Sequence, residues 1–452
     1  MITDYAAEGR ALARHEGKVI FISGAVPGDI ADVLVTKSKK DWAEGRAVSI
    51  KIFSAERVAP FCRHFGVCGG CKWQMLPYGK QLEYKQQEVM QHLQRIGKVA
   101  LPEILPIIGA DEIVRYRNKL EFTFSNRRYM TEAPLVGEPA SPALGFHVPR
   151  IFDKVLDIEE CFLMDGVNNT IRNEVRAFAL ENGYSFYDIR AHTGWLRNII
   201  IRYCSTGELL VNVCLNYEEK DDRVKLLDHL LRKVPSITTL LYTINPKWND
   251  SIYDLVPQVY FGKGFVMERL GDLAFKVSPK SFFQTNTAQA EKLYTVARDF
   301  AGLTGNEVVY DLYCGTGSIG LFLSKGAKKI IGVELIEEAV ADARENALIN
   351  QIPHAEFFAG DVIKLCTGDF FELHGQPDLV ITDPPRAGMH EKLVSKLLEI
   401  AAPRIVYVSC NTATQARDIG LLCEKYVVDK IQPVDMFPHT HHIECVVLLK
   451  LK

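Results

Sequence analysis

"EVVYDLYCGTGSIGLFL", residues 307–323, reads as a strand, a glycine-rich turn and a helix in that order. The alternation continues downstream. "KKIIGVEL" is a strand and "EEAVADARENALIN" a helix, then "PDLVITDPP" is a strand and "HEKLVSKLLEIA" a helix. "RIVYVSC" forms another strand, and "VVDKIQPVDMF" and "ECVVLLKLK" supply two more. Strands alternating with helices predict a doubly wound, Rossmann-like α/β sheet with its sites at the carboxyl ends of the strands.

Gly315, Gly317 and Gly320 spell GxGxxG between the first strand and its helix, and Glu334, twenty-three residues after Asp311, ends the next strand. An acidic side chain there can take both ribose hydroxyls of a bound nucleoside. This much fits either a dinucleotide or S-adenosylmethionine. The methyl donor carries no pyrophosphate, so for it the glycines serve close backbone approach. Asp311 beside the turn and "DPPR", Asp383–Arg386, favour the methyl donor; its two prolines stiffen the backbone next to the site.

Upstream the chain changes character. Residues 1–58 hold short β-runs, "KVIFISGAVPGD", "IADVLVTKSKK" and "RAVSIKIF", spaced for a small curved sheet or barrel. Lys37, Lys39, Lys40, Arg46 and Lys51 outnumber Asp41 and Glu44 there, a surface either solvated or set against nucleic acid. "QLEYKQQEVMQHLQRIGK", residues 81–98, reads as a helix with Leu82, Val89, Leu93 and Ile96 inward and Gly97 at its end. In "RYRNKLEFTFSNRR", residues 115–128, Tyr116, Asn118, Leu120, Phe122 and Phe124 share one face of a strand. Arg115, Arg117, Lys119 and Glu121 share the other, a face either set against phosphates or simply solvated. "WLRNIIIRYC" and "LLVNVCLN" are strand-like, and "APLVGEPASPALG", residues 133–145, is an irregular loop. The expected domains are a barrel at 1–58, a central α+β domain at 59–270 and the doubly wound domain at 271–452.

Length and composition agree with two or three globular domains: 452 residues, 47% hydrophobic and 24% charged. The net charge of −3 excludes a chain coated in basic charge but permits local patches. The polar N-terminus carries no signal peptide, and the longest apolar runs are too short to span a bilayer. A cytoplasmic protein with no membrane partner is therefore expected. Disulfides are not, so metal or catalytic roles gain weight among the eleven cysteines.

"CRHFGVCGGCKW" places Cys62, Cys68 and Cys71 in a C-x5-C-x2-C spacing, with Gly69 and Gly70 allowing a tight fold. Cys161, in "IEECFLM", is the candidate fourth ligand. Four thiolates can hold structural zinc or an iron–sulfur cluster. A second candidate site joins Cys410, in "RIVYVSCNTATQARD" at 404–418, to Glu444, in "FPHTHHIECVV" at 437–447. Each lies at a strand end, a nucleophile and a base. His439, His441 and His442 read as a surface turn. Such a pair suits a pyrimidine: a thiolate added to carbon 6 of uracil makes carbon 5 nucleophilic toward a methyl sulfonium, and a base then removes the carbon-5 proton.

"DLYCGTG", "DPPR", "VYVSCN" and "FPHTHHIECV" together resemble the RNA uracil-C5 methyltransferase family. "SFFQTNTAQAEKLY" resembles that family's donor-binding segment, the first 58 residues a TRAM RNA-binding barrel, and "CRHFGVCGGC" its [4Fe-4S] site. The resemblance implies S-adenosylmethionine contacts at Gln284, Tyr313, Ser318, Glu334, Asp361 and Asp383. It implies Cys410 as nucleophile, Glu444 as base, and Cys62, Cys68, Cys71 and Cys161 as cluster ligands. Thr412 departs from the pattern, since proline commonly follows Cys-Asn in the family. The cluster and barrel point to the branch acting on 23S rRNA, here as a monomer with the target uridine flipped out of a folded RNA. The competing expectations are a tRNA uracil-C5 methyltransferase and, from another class, a nicotinamide-dependent iron–sulfur oxidoreductase.

Overall fold

In the computed structural model, which describes residues 1–130 and 141–452, the glycine-rich stretch opens a seven-stranded sheet. Its strands are β1 (Val308–Leu312), β2 (Lys329–Glu334), β3 (Ala355–Ala359), β4 (Leu379–Thr382), β5 (Arg404–Ser409), β6 (Tyr426–Val434) and β7 (Glu444–Leu451). Their spatial order is β3-β2-β1-β4-β5-β7-β6. The first five run parallel, and β7 pairs antiparallel with both β5 and β6. β1 lies between β2 and β4, so the chain order reverses there and opens a crevice at the carboxyl ends of the strands. Val309, Tyr310, Val380, Ile405 and Val447 are buried in the sheet, as expected of strands covered on both faces. Sequence reading misses β3, whose "AEFFA" is short and weakly patterned.

The chain divides into two units, one of residues 1–63, 71–113 and 288–452, the other of 64–70 and 114–287. At the start of the first unit, five strands pair as a small sheet, including Lys18–Ser23, Ile30–Ser38 and Trp42–Ile52. Residues 71–113 strap onto the large sheet: Ile104 and Ile108 bridge in parallel to Ile431 and Val434, extending it past β6.

The helix in this strap, Tyr78–His92, and the turn after it bury Val89 and Leu93 as the apolar pattern predicts, but polar side chains fill the rest of that face. Gln81, Lys85, Val89 and Leu93 are buried, whereas Ile96 is exposed. The reason is the irregular segment just before β7, whose backbone needs partners. Lys85 Nζ reaches Asp435 Oδ1 at 2.6 Å with both side chains fully buried, and Tyr78 Oη donates to Asp435 Oδ2 at 2.8 Å. Gln81 donates to the Trp73 and Leu76 carbonyls and accepts from the His439 amide at 2.8 Å. Lys85→Met leaves Asp435 buried without its countercharge and is expected to cost about 3 kcal/mol. A lowered denaturant midpoint of the full chain would show it, with part of the loss restored by adding Asp435→Asn.

The second unit holds another seven-stranded sheet with two helices, Val167–Glu181 and Lys220–Lys233. Lys119–Ser125 is a strand with Leu120, Phe122 and Phe124 buried. Its opposite face is less open than the sequence suggests: burial, together with buried Arg202, pushes the Lys119 ammonium pKa down. Of the irregular loop read at 133–145, residues 133–140 lie outside the described residues, and Ala143–His147 is a strand. No described helix is long and apolar enough to cross a membrane.

Candidate active site

Where β1 ends, the backbone enters the left-handed region three times: Tyr313 at φ 64°, Gly315 at 54° and Gly317 at 78°. A side chain is costly in this region, so Tyr313 marks a position held against strain. A Cβ at Gly317 would lie 2.8 Å from the Phe357 ring, so only glycine lets the turn sit this close. Glu334, at the end of β2, accepts from the Gly315 amide at 3.1 Å and from the Ile336 amide at 3.1 Å. Its neighbours Leu335 and Ile336 are exposed apolar side chains at the same strand end.

Asp311 is fully buried behind the turn. Its Oδ2 accepts from the Gly320 amide at 2.8 Å, while Oδ1 is buried with no hydrogen-bond partner among the described residues. Burial first, then the charges of Asp383 and Glu334, push its carboxyl up to about 7. A crevice this acidic repels a pyrophosphate and suits a cationic ligand, as the sulfonium and ammonium of S-adenosylmethionine are. The other expected donor contacts are placed unevenly. Ser318 shares a 3.0 Å hydrogen bond with Tyr294 Oη, and Asp361 caps the helix Val362–Leu365 by accepting from Ile363 N. Gln284 belongs to the second unit, where its carbonyl accepts from Asn118.

Cys410 and Glu444 come together through strand register. Ser409 pairs with Cys445 across the antiparallel β5–β7 ladder, so one step further Cys410 faces Glu444. The turn after Cys410 is fixed by Asn411, whose Oδ1 accepts from Ala413 N and Thr414 N and whose Nδ2 donates to the Arg386 carbonyl at 3.0 Å. The helix therefore begins at Thr412 without the family's usual proline, and Thr412 Oγ1 is bonded to His92 Nδ1 at 2.7 Å.

Asp383, at the end of β4, completes an acidic group, and burial pushes it up to about 7. Burial likewise raises Glu444 well above the ordinary carboxylate range; the charge of Asp383 adds to this and Arg386 opposes it. The Cys410 thiol is pushed up to about 11 by burial, then by Glu444 and Asp383, against the charge and hydrogen bond of Arg386. At rest it is a neutral thiol with the Arg386 guanidinium beside it. Arg386 stands in the "DPPR" motif, yet sequence reading assigns it no role; its position immediately after the prolines is the signal that could have found it.

The histidines lie in a turn, but His439 is drawn inside while His441 and His442 are half-buried. His439 is only 4% exposed, has φ 63°, and its carbonyl accepts from both Lys72 N and Trp73 N. Burial pushes His439 down to about 4 and His441 to about 3, so both rings are neutral. The cysteines are divided: Cys62 and Cys71 lie in the first unit, Cys68 and Cys161 in the second. Among the described residues no group of three or more His, Cys, Asp or Glu side chains is arranged to hold a metal ion, so the expected cluster site is not shown.

Residues 257–452 match the tRNA (Uracil-5-)-methyltransferase family and residues 1–48 the TRAM domain. An RNA methyltransferase of Bacteroides thetaiotaomicron is 53% identical, with 99% of this chain and 100% of that one covered. One from Porphyromonas gingivalis is 50% identical, with 99% and 98% covered. The chain belongs to the RNA uracil-5-methyltransferase family. As an S-adenosylmethionine-dependent RNA (uracil-5-)-methyltransferase, it has its acidic crevice at the switch point where the donor binds in this fold. The tRNA (uracil-54, C5)-methyltransferase of Pyrococcus abyssi, solved with S-adenosyl-L-homocysteine, is similar over 99% of both chains, with 28% identity and a TM-score of 0.76.

Proposed function

We propose that the enzyme methylates carbon 5 of a specific uridine in 23S rRNA, with Cys410 as nucleophile and Glu444 as base. The observation that carries this reading is the register of β5 and β7, which sets the two residues face to face beside Asp383 and Arg386. Bound among Tyr313, Ser318, Glu334, Asp361, Asp383 and Gln284, S-adenosylmethionine supplies the electrophilic methyl. Cys410 gives its thiol proton to solvent, and the thiolate, held by Arg386, adds to carbon 6, forming the C–S bond and placing the electron pair at carbon 5, which takes the methyl from the sulfonium and leaves S-adenosylhomocysteine. Glu444 then removes the carbon-5 proton. The electrons left behind restore the ring double bond and expel Cys410.

The TRAM match and the C-x5-C-x2-C run support ribosomal RNA as substrate. The likeness to the archaeal tRNA enzyme favours the second reading, a tRNA uridine. Purified 23S rRNA and tRNA, each incubated with labelled donor, separate the two: label is expected in 23S rRNA at 5-methyluridine, and label in tRNA alone reverses the choice. In the same reading Cys62, Cys68, Cys71 and Cys161 hold a [4Fe-4S] cluster. Thiolates are the soft donors such a cluster takes, and Gly70 N donates to Cys68 Sγ at 3.4 Å, a bond that stabilises a thiolate. Iron and acid-labile sulfide in anaerobically purified enzyme test it.

Glu444 must be ionised to accept a proton, and Asp383 makes that harder. The rate at saturating donor is therefore expected to rise with pH, above the range where an ordinary carboxylate titrates. In Asp383→Asn the neighbouring charge is gone, Glu444 ionises more easily, and the rise moves toward acid. A single-turnover pH profile measures it, and an unmoved profile speaks against Glu444 as the titrating group.

A further inference from the structure

Trp248 is 76% exposed, although the loop that carries it is held by a network of hydrogen bonds. Arg197, 1% exposed, donates to three carbonyls of that loop, Asn245 at 2.7 Å, Lys247, and Asn249 at 3.0 Å, and pairs with the Asp250 carboxylate at 2.9 Å. Asn245 closes the loop on itself through Lys247 N and the Asn249 carbonyl. One face of the indole lies flat on His192, with ring centroids 4.5 Å apart and planes within 5°. His192 is fixed in turn: its φ is 57°, its amide donates to the Asp188 carbonyl, and its Nδ1 is bonded to Tyr187 Oη at 3.1 Å. Tyr187 itself packs under the Arg197 guanidinium.

A large aromatic surface left in water on a floppy loop is unremarkable. Here a buried arginine, two asparagine turns and a histidine hold one, backed on one side and open on the other among the described residues. We propose that Trp248 is a stacking platform for an unpaired nucleobase of the RNA substrate, separate from the uridine that is methylated. The inference rests on RNA being the substrate class. A base stacks through its π-face and needs no particular edge, so the platform grips a splayed nucleotide whatever its identity; a base inside a duplex has both faces covered. The nearby charges are paired, Lys247 with Asp254 and Arg197 with Asp250, so phosphate attraction is not what the site offers.

The test uses the full chain, a single-stranded RNA oligonucleotide, and the same oligonucleotide annealed into a duplex. Trp248→Ala is expected to bind the single strand about tenfold more weakly, by the same factor at low and high salt, while Trp248→Phe keeps most of the affinity. Duplex binding should be equal in all three proteins. Indole fluorescence should be quenched by the single strand in the wild type and much less in Trp248→Phe, since the other three tryptophans remain. Unchanged affinity and quenching overturn the platform while leaving the RNA reading intact. A wild-type chain that binds neither RNA overturns both. Loss of donor binding in Trp248→Ala would reveal misfolding, and Trp248→Phe then decides: full retention of affinity with equal quenching overturns the platform, reduced quenching supports it.

Discussion

Cys410→Ala is expected to lower methyl transfer by on the order of 10⁴- to 10⁶-fold, the scale seen when a covalent nucleophile is removed. Carbon 5 of uracil has almost no nucleophilicity until a group adds at carbon 6, and the side chains beside Cys410 cannot substitute: Glu444 is a buried carboxyl, Asp383 a half-buried one, and Arg386 a cation. The affinity for S-adenosylmethionine should stay within a few-fold, because the glycine turn, Glu334 and Asp311 are untouched. The direct measurement is trapping on RNA containing 5-fluorouridine, where fluorine blocks the final proton removal. The wild type should give a protein–RNA adduct that survives denaturation and the variant none. An adduct in Cys410→Ala would move the nucleophile elsewhere.

Glu444→Gln should separate the two halves of the reaction. Glutamine keeps the size and hydrogen-bonding capacity of the side chain but cannot take a proton, so addition and methylation proceed and the adduct stalls. Turnover is expected to fall about 10²- to 10⁴-fold, the range for loss of a positioned general base. On unmodified RNA a covalent complex already carrying the new methyl group should accumulate. The substitution also removes one of the charges that hold the Cys410 thiol up, so iodoacetamide should react with Cys410 faster at neutral pH than in the wild type. Normal turnover in Glu444→Gln would take this residue out of the base role.

The two halves of the site were unequally legible. The glycine turn and Glu334 are local features, set by a strand, a turn and the next strand, and their pattern is written within about thirty residues. The encounter of Cys410 with Glu444 depends on an antiparallel register between β5 and β7, which neither motif contains by itself. Arg386 is plain in the chain, but its role follows only from where that register brings the thiol. Ser318 and Asp361 carry their own structural work, one bonded to Tyr294 and one capping a helix. The strap helix buries Val89 and Leu93 as expected, and misleads over the rest of its face for a physical reason. Apolar periodicity assumes that the buried stripe is greasy, whereas Gln81 and Lys85 go inside because a loop without secondary structure needs their donors and acceptors.

That last contact also sets a timetable. Lys85 leaves the ribosome long before its partner, which lies 350 residues further along the chain. At ordinary elongation rates the helix waits roughly 20 to 70 seconds with a polar face that belongs inside. A wholly apolar stripe would be sticky over that interval; glutamine and lysine keep the waiting surface hydrated. The strap is thus made long before it can dock, and Cys410 comes to face Glu444 only once β7 has been synthesised.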